Sequence, residues 1–373
     1  MPLKCLRGNE EIYAFNVDSD EAWSALRKAN TATKDLRMPC CGAAVVLRTS
    51  KLGTRHFAHA RRGPCTTAPE TAEHLLAKMA IVEGIRMTDW AALPEQAGCT
   101  PEGADWRADV MAVKGQAKVA IEVQWSRQDA DETRRRQDRY TAGGVRGLWL
   151  FRQADFPLGK DIPAFRLLFD GKAKCFRVAL PSPCYHPNYL GRDKDQPRYW
   201  QQVIDLPRFV HGVLTKRLRF APALGQRMPM EVEATPTKCW RCHKPTRIVT
   251  GLVFAASRVL PGCADIHATI YWFDEIADGP RILAALLPPA LLRQYGIGAL
   301  RPRYSKTEGA TYLSNGCVHC DALQGKFFED RLLRNGEVLF EVEAEFLDEL
   351  ARIGSHEDSH VFRWWFDERE PAD

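Results

Sequence analysis

Two acidic residues, Asp109 and Glu122, lie in neighbouring segments where apolar and polar side chains alternate, the pattern of paired β-strands. Residues 114–117 form the turn between the two segments, and they hold a glycine at the first central position, as a two-residue type II′ hairpin turn requires. Pairing the ends of this turn places Asp109 directly opposite Glu122. Two carboxylates so placed repel each other, and a hard divalent cation such as Mg²⁺ or Mn²⁺ relieves the repulsion. Such an ion also activates water for phosphodiester hydrolysis, so the pattern predicts a metal-dependent hydrolytic centre.

The same register decides which side chains share a face with the two acids. By alternation, Gln124 and Ser126 join Glu122, and Arg107 joins Asp109. The opposite, mainly apolar face is predicted to carry Trp106, Val110, Ile121 and Val123. A register shift of one residue would reverse the faces. The alternative is therefore a solvated outer face, on which the acids pair with Arg107 or with arginines of the next helix.

Four cysteines form two C-x-x-C pairs, Cys239 with Cys242 and Cys317 with Cys320. This spacing presents two thiolates to one tetrahedral ion, so the two pairs together predict a zinc site. Four thiolates leave no open position for a substrate, which indicates a structural role. The 74 residues between the pairs predict a folded insertion that includes the apolar run 282–292.

A second cluster of soft ligands lies near the N-terminus. Cys41, His59 and Cys65 are candidate zinc ligands, with Cys40 or His56 as the fourth. Adjacent cysteines rarely reach one ion together. The alternative is a small domain without metal, packed around the phenylalanine at position 57.

The elements that must position the acidic centre follow from periodicity. A helix of about four turns begins near residue 69, a weak strand follows at 93–96, and the hairpin spans 106–113 and 118–126. A second helix runs from the acids at 129–132 to Tyr140, ends at two glycines, and leads into a strand at 145–151. The order is helix, three-strand meander, helix, strand, which predicts an α/β core.

These elements divide the chain into four regions. We expect a basic Cys/His region at 1–68, an α/β domain at 69–170, a Pro-rich connecting region at 171–230, and an α+β zinc-ribbon domain at 231–373. The last contains the long insertion and ends in an acidic region.

Several short motifs occur in the order found in the CoiA-like competence family. The chain resembles that family over roughly residues 35–155 through H-F-A-H at 56–59, E-H with Lys78 at 73–78, R-A-D-V at 107–110, I-E-V-Q-W-S at 121–126 and R-Q-x-x-Y at 136–140. The family is similar to the PD-(D/E)xK nucleases, so the resemblance implies a restriction-endonuclease-like core. Where the family usually has C-P-x-C, this chain has M-P-C-C at 38–41.

The resemblance also implies roles for individual residues. Asp109 and Glu122 would hold the metal, Glu73 would be the acid on the first helix, and Gln124 stands where most of these nucleases carry lysine. A glutamine can orient water but cannot offer a positive charge to phosphate. Lys78, four residues after His74 on the same helix face, is either a replacement cation or an exposed helix residue.

Two residues of the second helix can hold the substrate. Arg136 and Tyr140 share a helix face and are candidates for gripping a phosphate, together with Arg107, or for packing against the sheet.

Charge and composition favour a nucleic-acid partner. The net charge of +5 conceals an acidic C-terminal region, 329–373, with fourteen acids against five arginines, so the rest of the chain is strongly basic. No apolar segment has the length of a membrane span and no secretory signal is evident, so we expect a cytoplasmic protein.

The sequence therefore supports three functions. The first is a metal-dependent DNA nuclease acting in DNA uptake, recombination or defence. The second is a non-catalytic DNA-binding accessory of a competence or recombination system. The third is a zinc-ribbon interaction protein that binds a partner through its acidic C-terminal region.

Overall fold

The computed structural model describes residues 2–61, 63, 65, 70–157, 159–182, 185, 193–222, 225–260, 265–325, 336–347 and 363–368. The chain forms two compact units, Met1–Leu218 and Arg219–Asp373. Both contain strands and helices, so the α/β class expected from the sequence is confirmed. Most of the acidic region 329–373 lies outside the described residues.

Helices occur in both units. Their bounds are α1 Asp20–Thr33, α2 Ala72–Arg86, α3 Ala130–Ala142, α4 Leu206–Leu214, α5 Ala256–Val259, α6 Gly279–Leu286 and α7 Pro289–Gln294. Short 3₁₀ turns lie at Ala14–Asn16, Pro197–Tyr199 and Ile270–Asp274. None of the described helices combines the length and apolar character needed to cross a bilayer.

A seven-stranded sheet forms the centre of the first unit, in the order β14-β13-β12-β11-β10-β9-β6. Its strands are β6 Ala91–Pro94, β9 Val110–Lys114, β10 Ala117–Gln124, β11 Arg146–Phe151, β12 Ala164–Asp170, β13 Cys175–Pro181 and β14 Trp200–Asp205. β11 is parallel to β10 and β12, and the other pairs are antiparallel.

Smaller sheets surround this one. Their strands are β1 Lys4–Arg7, β2 Glu10–Tyr13, β3 Leu36–Arg37, β4 Val45–Thr49, β5 Arg55–His59, β7 Ala97–Cys99 and β8 Asp105–Arg107. They pair as β2-β1-β3, β4-β5 and β7-β8.

The predicted hairpin register is confirmed. Lys114 pairs with Ala117, and the ladder continues without a shift to Val110 opposite Ile121. Gly115 has φ +57°, as a turn of this kind requires at its first central position. The predicted order of helix, meander, helix and strand is present as α2, β6-β9-β10, α3 and β11.

Helices cover both faces of the seven-stranded sheet. Phe165 of β12 pairs with Leu150 and packs edge-on against Phe209 of α4, so α4 lies on the face of Leu150. α2 packs against α4 on the same side. Residues of opposite parity, among them Trp149 and Phe151, pack with α3 on the other face. This arrangement buries both sides of the sheet, as parallel strands require.

Gly84 shows how closely α2 and α4 approach each other. A Cβ at this position would lie 2.5 Å from the carbonyl oxygen of Pro207 and 2.8 Å from the Cβ of Val210. A side chain here would therefore push the two helices apart.

The structure differs from the predicted connecting region at 171–230. β13, β14 and α4 fall within it and complete the main sheet and its covering layer. Among the described prolines of this region, Pro181 ends β13, and Pro197 and Pro207 lie in the first turns of a 3₁₀ helix and of α4, where a missing N–H is tolerated.

The second unit is built on the sheets β18-β17-β16-β22, β19-β20-β21 and β15-β23. Its strands are β15 Leu218–Ala221, β16 Arg227–Lys238, β17 Pro245–Phe254, β18 Ile266–Ala268, β19 Arg301–Ser305, β20 Ala310–Gly316, β21 Leu323–Gln324, β22 Glu337–Glu345 and β23 Arg363–Phe366. The predicted insertion is folded, since α6 and α7 bury Leu283 and Leu292 in the unit's main core.

Candidate active site and metal-ligand clusters

Helix α2 brings three polar side chains to one end of the sheet. His74 and Lys78, four residues apart, share one face of the helix, and Glu70 lies just before the helix start. Thr71 caps the helix by accepting a hydrogen bond from the backbone N–H of His74, at 3.2 Å. This cap starts the helix at a point where Glu70 and His74 both face Asp109.

Lys78 is fully buried, so it is not the exposed helix residue that the sequence offered as one alternative. Its Nζ lies 3.0 Å from Glu70 Oε1 and also pairs with Glu95. Burial by itself lowers the pKa of a lysine, but the charges of Glu95 and Glu70 raise the pKa of Lys78 above its usual value. This buried, doubly paired ammonium balances the charges of Glu70 and Glu95 inside the domain.

Asp109 lies between β8 and β9 and is held from two sides. Its Oδ2 accepts a hydrogen bond from the Val123 backbone N–H at 2.9 Å and lies 3.3 Å from His74 Nε2. Although burial raises the pKa of this carboxyl, the hydrogen bond and charge of His74 lower it below its usual range. Burial likewise lowers the pKa of His74, but Asp109 raises it overall. The carboxylate form of Asp109 and the protonated form of His74 therefore stabilise each other.

Ligand atoms of Glu70, His74 and Asp109 all lie within 4.8 Å of one another. Two carboxylates and an imidazole at this spacing can bind a divalent cation. The sequence prediction had placed the helix acid at Glu73. That residue instead forms a 2.8 Å salt bridge with Lys51, because it lies one position before His74 and successive side chains of a helix are rotated by about 100°.

Glu122 is 2% exposed and faces α3. Its carboxylate pairs with Arg136 and accepts a hydrogen bond from the hydroxyl of Tyr140. Burial and the nearby charge of Asp109 raise the pKa of Glu122 to about 7, although Arg136 and Tyr140 act in the opposite direction. Arg136 also lies over the ring of Trp149, at 5.0 Å. Arg136 thus pairs with an acid of the site, and Tyr140 donates a hydrogen bond to it.

The two acids are neighbours, but they do not sit side by side on one face as predicted. The ladder ends at the pair of Val110 and Ile121, and β8 stops at Arg107, so the alternation is broken before Asp109. Asp109 consequently contacts α2 while Glu122 contacts α3. The same break places Trp106 against Tyr140, at 5.4 Å, on the face opposite to the one predicted.

Gln124 and Arg107 lie near these acids without contacting them directly in the described structure. Gln124 shares the α3 face with Glu122, as predicted, and its Nε2 donates to the Ser126 carbonyl at 3.1 Å. The backbone carbonyl of Arg107 accepts a hydrogen bond from the Tyr140 hydroxyl, at 3.1 Å.

Comparison with known families gives a match over the part of the chain that contains these acids. Residues 70–162 match the family described as "Competence protein CoiA, nuclease-like domain". This part of the chain is similar to the CoiA nuclease-like domain. The resemblance to the CoiA-like competence family is therefore confirmed over residues 70–155 of the expected range 35–155, and the match begins at Glu70, a residue of the acidic cluster. No curated protein matches the chain.

A cleft of about 490 Å³ opens beside Arg136 and Tyr140, the partners of Glu122, in the nuclease-like domain. It is lined by Ala97, Gly98, Asp105, Trp106, Arg107, Glu132, Arg136, Arg139 and Tyr140. Arg139 was not singled out in the sequence, although its place three residues after Arg136 puts both on one helix face. The cleft offers guanidinium groups and aromatic rings next to the candidate acids.

The N-terminal cysteines and His59 converge as a second candidate metal site. Ligand atoms of Cys40, Cys41, His59 and Cys65 all lie within 4.8 Å of one another. The Cys40 Sγ is 3.6 Å from the Cys65 Sγ, and the Cys41 Sγ is 3.2 Å from His59 Nε2. Adjacent cysteines therefore do meet here, and the fourth candidate ligand is Cys40.

The alternative fourth ligand, His56, lies elsewhere. It is buried, with Nδ1 3.2 Å from the Thr54 carbonyl oxygen. Met38, at the first cysteine position of the family pattern, is buried in the core of the N-terminal region. The turn after it is closed by a hydrogen bond from the Gly42 N–H to the Met38 carbonyl, and within it the Sγ atoms of Cys40 and Cys41 lie 3.7 Å apart. Cys40, two residues after Met38, thus completes the set of four candidate ligands in place of the missing first cysteine.

The C-terminal cysteine cluster can hold zinc, as the sequence predicted. The Sγ atoms of Cys239 and Cys320 are 3.7 Å apart, as are those of Cys242 and Cys317, and all four ligand atoms lie within 4.8 Å. Both pairs form the same knuckle, because Cys239 Sγ and Cys317 Sγ each accept a hydrogen bond from the backbone N–H two residues later, at 3.4 Å. Such hydrogen bonds favour the thiolate that zinc requires.

Proposed function

We propose that this protein is a divalent-metal-dependent DNA nuclease with a restriction-endonuclease-like core. The observation that carries the proposal is the half-buried group of Glu70, His74 and Asp109, beside Glu122, inside a segment similar to the CoiA nuclease-like domain. The order α2, β6-β9-β10, α3 and β11 supports the core assignment, to which β12–β14 are added.

The donor atoms fit a hard or borderline divalent ion. Asp109 and Glu70 would offer carboxylate oxygens, and His74 an imidazole nitrogen, a set that suits Mn²⁺ as well as Mg²⁺. Glu122 is the additional acid expected from the sequence, and its charge interacts with that of Asp109. When bound, the ion would lower the pKa of a water and stabilise charge on the phosphate.

The protein's own groups would prepare this site. The Val123 N–H fixes the position of Asp109, and the ammonium of Lys78 offsets the charges of Glu70 and Glu95. Arg107 and Arg139, in the cleft beside Glu122, would bind backbone phosphates of the DNA. Gln124, on the face of Glu122, would orient a water by hydrogen bonding.

Cleavage of single-stranded and double-stranded DNA in Mn²⁺ tests this function. Asp109→Ala and His74→Ala should each lower the single-turnover rate by about 10²-fold or more. Glu70→Gln should also lower the rate, while Glu73→Gln is the matched control on the same helix and should cleave normally, since Glu73 pairs with Lys51. DNA binding should persist in the Asp109 variant, because removal of a negative charge does not weaken phosphate contacts.

A second function, a non-catalytic DNA-binding accessory, is favoured by the position of Gln124 and by the pairing of Glu122 with Arg136. Full activity of Asp109→Ala after removal of contaminants would contradict the assignment of the centre. Absence of wild-type cleavage on every DNA form, with binding intact, would favour the accessory.

A further inference from the structure

Trp240 is an exposed aromatic residue on a rigid support. It lies between Cys239 and Cys242 in the first zinc knuckle and is 59% exposed. Its indole Nε1 donates a hydrogen bond to the Leu323 carbonyl oxygen at 2.6 Å, so one edge of the ring is anchored. Because the hydrogen bond uses only that edge, much of the ring remains open to solvent in a fixed orientation.

Tyr304 is a second exposed aromatic residue of the second unit. On β19 its neighbours Arg303 and Ser305 are buried, and strand alternation turns Tyr304 outward, where it is 63% exposed. Trp240 and Tyr304 both line a cavity of about 670 Å³ in the second unit. Large exposed aromatic rings grouped at one concave surface indicate a binding site.

The charge around the two rings favours an anionic ligand. Arg241 and Lys306 line the cavity and form no ion pair within the part of the chain that the structure describes. Asp321 is already paired with Arg301 and Arg303. Glu308 adds one acid to the rim.

The sequence around the knuckle adds further positive charge. It reads K-C-W-R-C-H-K at 238–244, without an acid, and its two lysines, Arg241 and His243 are exposed. The surface therefore combines stacking rings with cations that are free to bind phosphate.

We propose that this surface binds single-stranded nucleic acid, with unpaired bases stacked on Trp240 and Tyr304 and phosphates held by Arg241 and Lys306. Aromatic platforms accept any base, since every base has a π-face, and cations follow the backbone. In a duplex those faces are covered by neighbouring bases, so the platform selects single strands. The site uses no residue of the nuclease-like domain and is therefore independent of the function proposed above.

Fluorescence anisotropy tests this site with the full-length protein. The probe is a labelled oligonucleotide of about 20 nucleotides, longer than a typical single-strand site, compared with the same sequence as a duplex. Mg²⁺ and Mn²⁺ are omitted to prevent cleavage, and chelators are avoided because they remove zinc. Trp240→Ala and Tyr304→Ala should each weaken single-strand binding about tenfold, while Trp240→Phe keeps a stacking ring and retains most of the affinity.

Two controls separate stacking from folding and from charge. Val338→Ala removes another exposed apolar side chain of the second unit and should leave binding unchanged. Arg241→Gln should reduce the dependence of log affinity on log salt by about 0.7, the value for one phosphate contact on a single strand. Zinc content measured on each variant establishes that the knuckle is intact.

Unchanged single-strand affinity in Trp240→Ala and Tyr304→Ala would overturn the proposal. So would equal loss of duplex and single-strand binding, which would point to charge alone. Binding of an acidic peptide that competes with the oligonucleotide and depends on both rings would assign the surface to a protein partner instead.

Discussion

Replacing Lys78 with methionine tests whether the buried charge network stabilises the first unit. Methionine keeps an unbranched side chain of similar size, so packing is retained while the ammonium is lost. The side chain of Glu95 is 5% exposed, and the change would remove its cationic partner. Its carboxylate would keep the hydrogen bond that it accepts from the Leu3 N–H. It would also remove the partner 3.0 Å from Glu70.

The expected cost follows from burial. Removing one partner of a buried ion pair destabilises a protein by about 3–5 kcal/mol. For a unit the size of Met1–Leu218, the melting temperature should fall by about 6–20 °C. Lys51→Met is the matched control, because Lys51 is 71% exposed and its pair with Glu73 should contribute about 0–1 kcal/mol.

The assay is urea and thermal unfolding of the full-length variants, followed by tryptophan fluorescence and calorimetry. Adding Glu95→Gln to Lys78→Met removes the stranded charge and should recover part of the loss. The reasoning fails if Lys78→Met is no more destabilising than Lys51→Met, or if the double variant is less stable than the single one.

Three further predictions concern the metal clusters and Glu122. With the N-terminal and C-terminal cysteine clusters both filled, the purified protein should carry about two zinc ions per chain. Cys317→Ser should release one zinc ion and lower the melting temperature of the second unit. Unchanged metal content in this variant would contradict the C-terminal site. His59→Ala should release the other zinc whereas His56→Ala should not, as atomic absorption can measure. Between pH 4.5 and 7 the unfolded chain loses the Glu122 proton that the folded protein keeps. The free energy of unfolding of the wild type should therefore fall with rising pH relative to that of Glu122→Gln. Parallel urea-unfolding profiles of the two proteins over this pH range would refute the raised pKa.

Local sequence rules predicted the central hairpin because its register depends on few residues. Gly115 fixes the turn, and alternation carries the pairing to Val110 and Ile121. The two ends of α3 were also predicted correctly, because Asp129 caps the helix and Gly143 ends it. Each of these features depends on contacts within a few residues, which the sequence displays directly.

Counting along strands failed where the ladder was interrupted. The predicted face of Trp106 and the side-by-side placement of Asp109 and Glu122 both assumed regular alternation from β8 to β9. A strand break of two residues leaves no clear signal in composition. It is decided by packing, here by α2 drawing Asp109 toward His74 and α3 drawing Glu122 toward Arg136.

The sequence by itself determined which residue types were available: the C-x-x-C pairs, the acids of the hairpin and the family motifs at 56–59 and 107–110. Tertiary structure alone decided which of them meet. It places Glu70, and not Glu73, beside His74 and Asp109. It also pairs Lys78 with Glu95 and makes Cys40 the fourth candidate ligand at the N-terminus. The physical reason is that ligand sets and buried ion pairs join residues far apart in the chain, and their geometry depends on helix rotation and strand breaks fixed only when the elements pack.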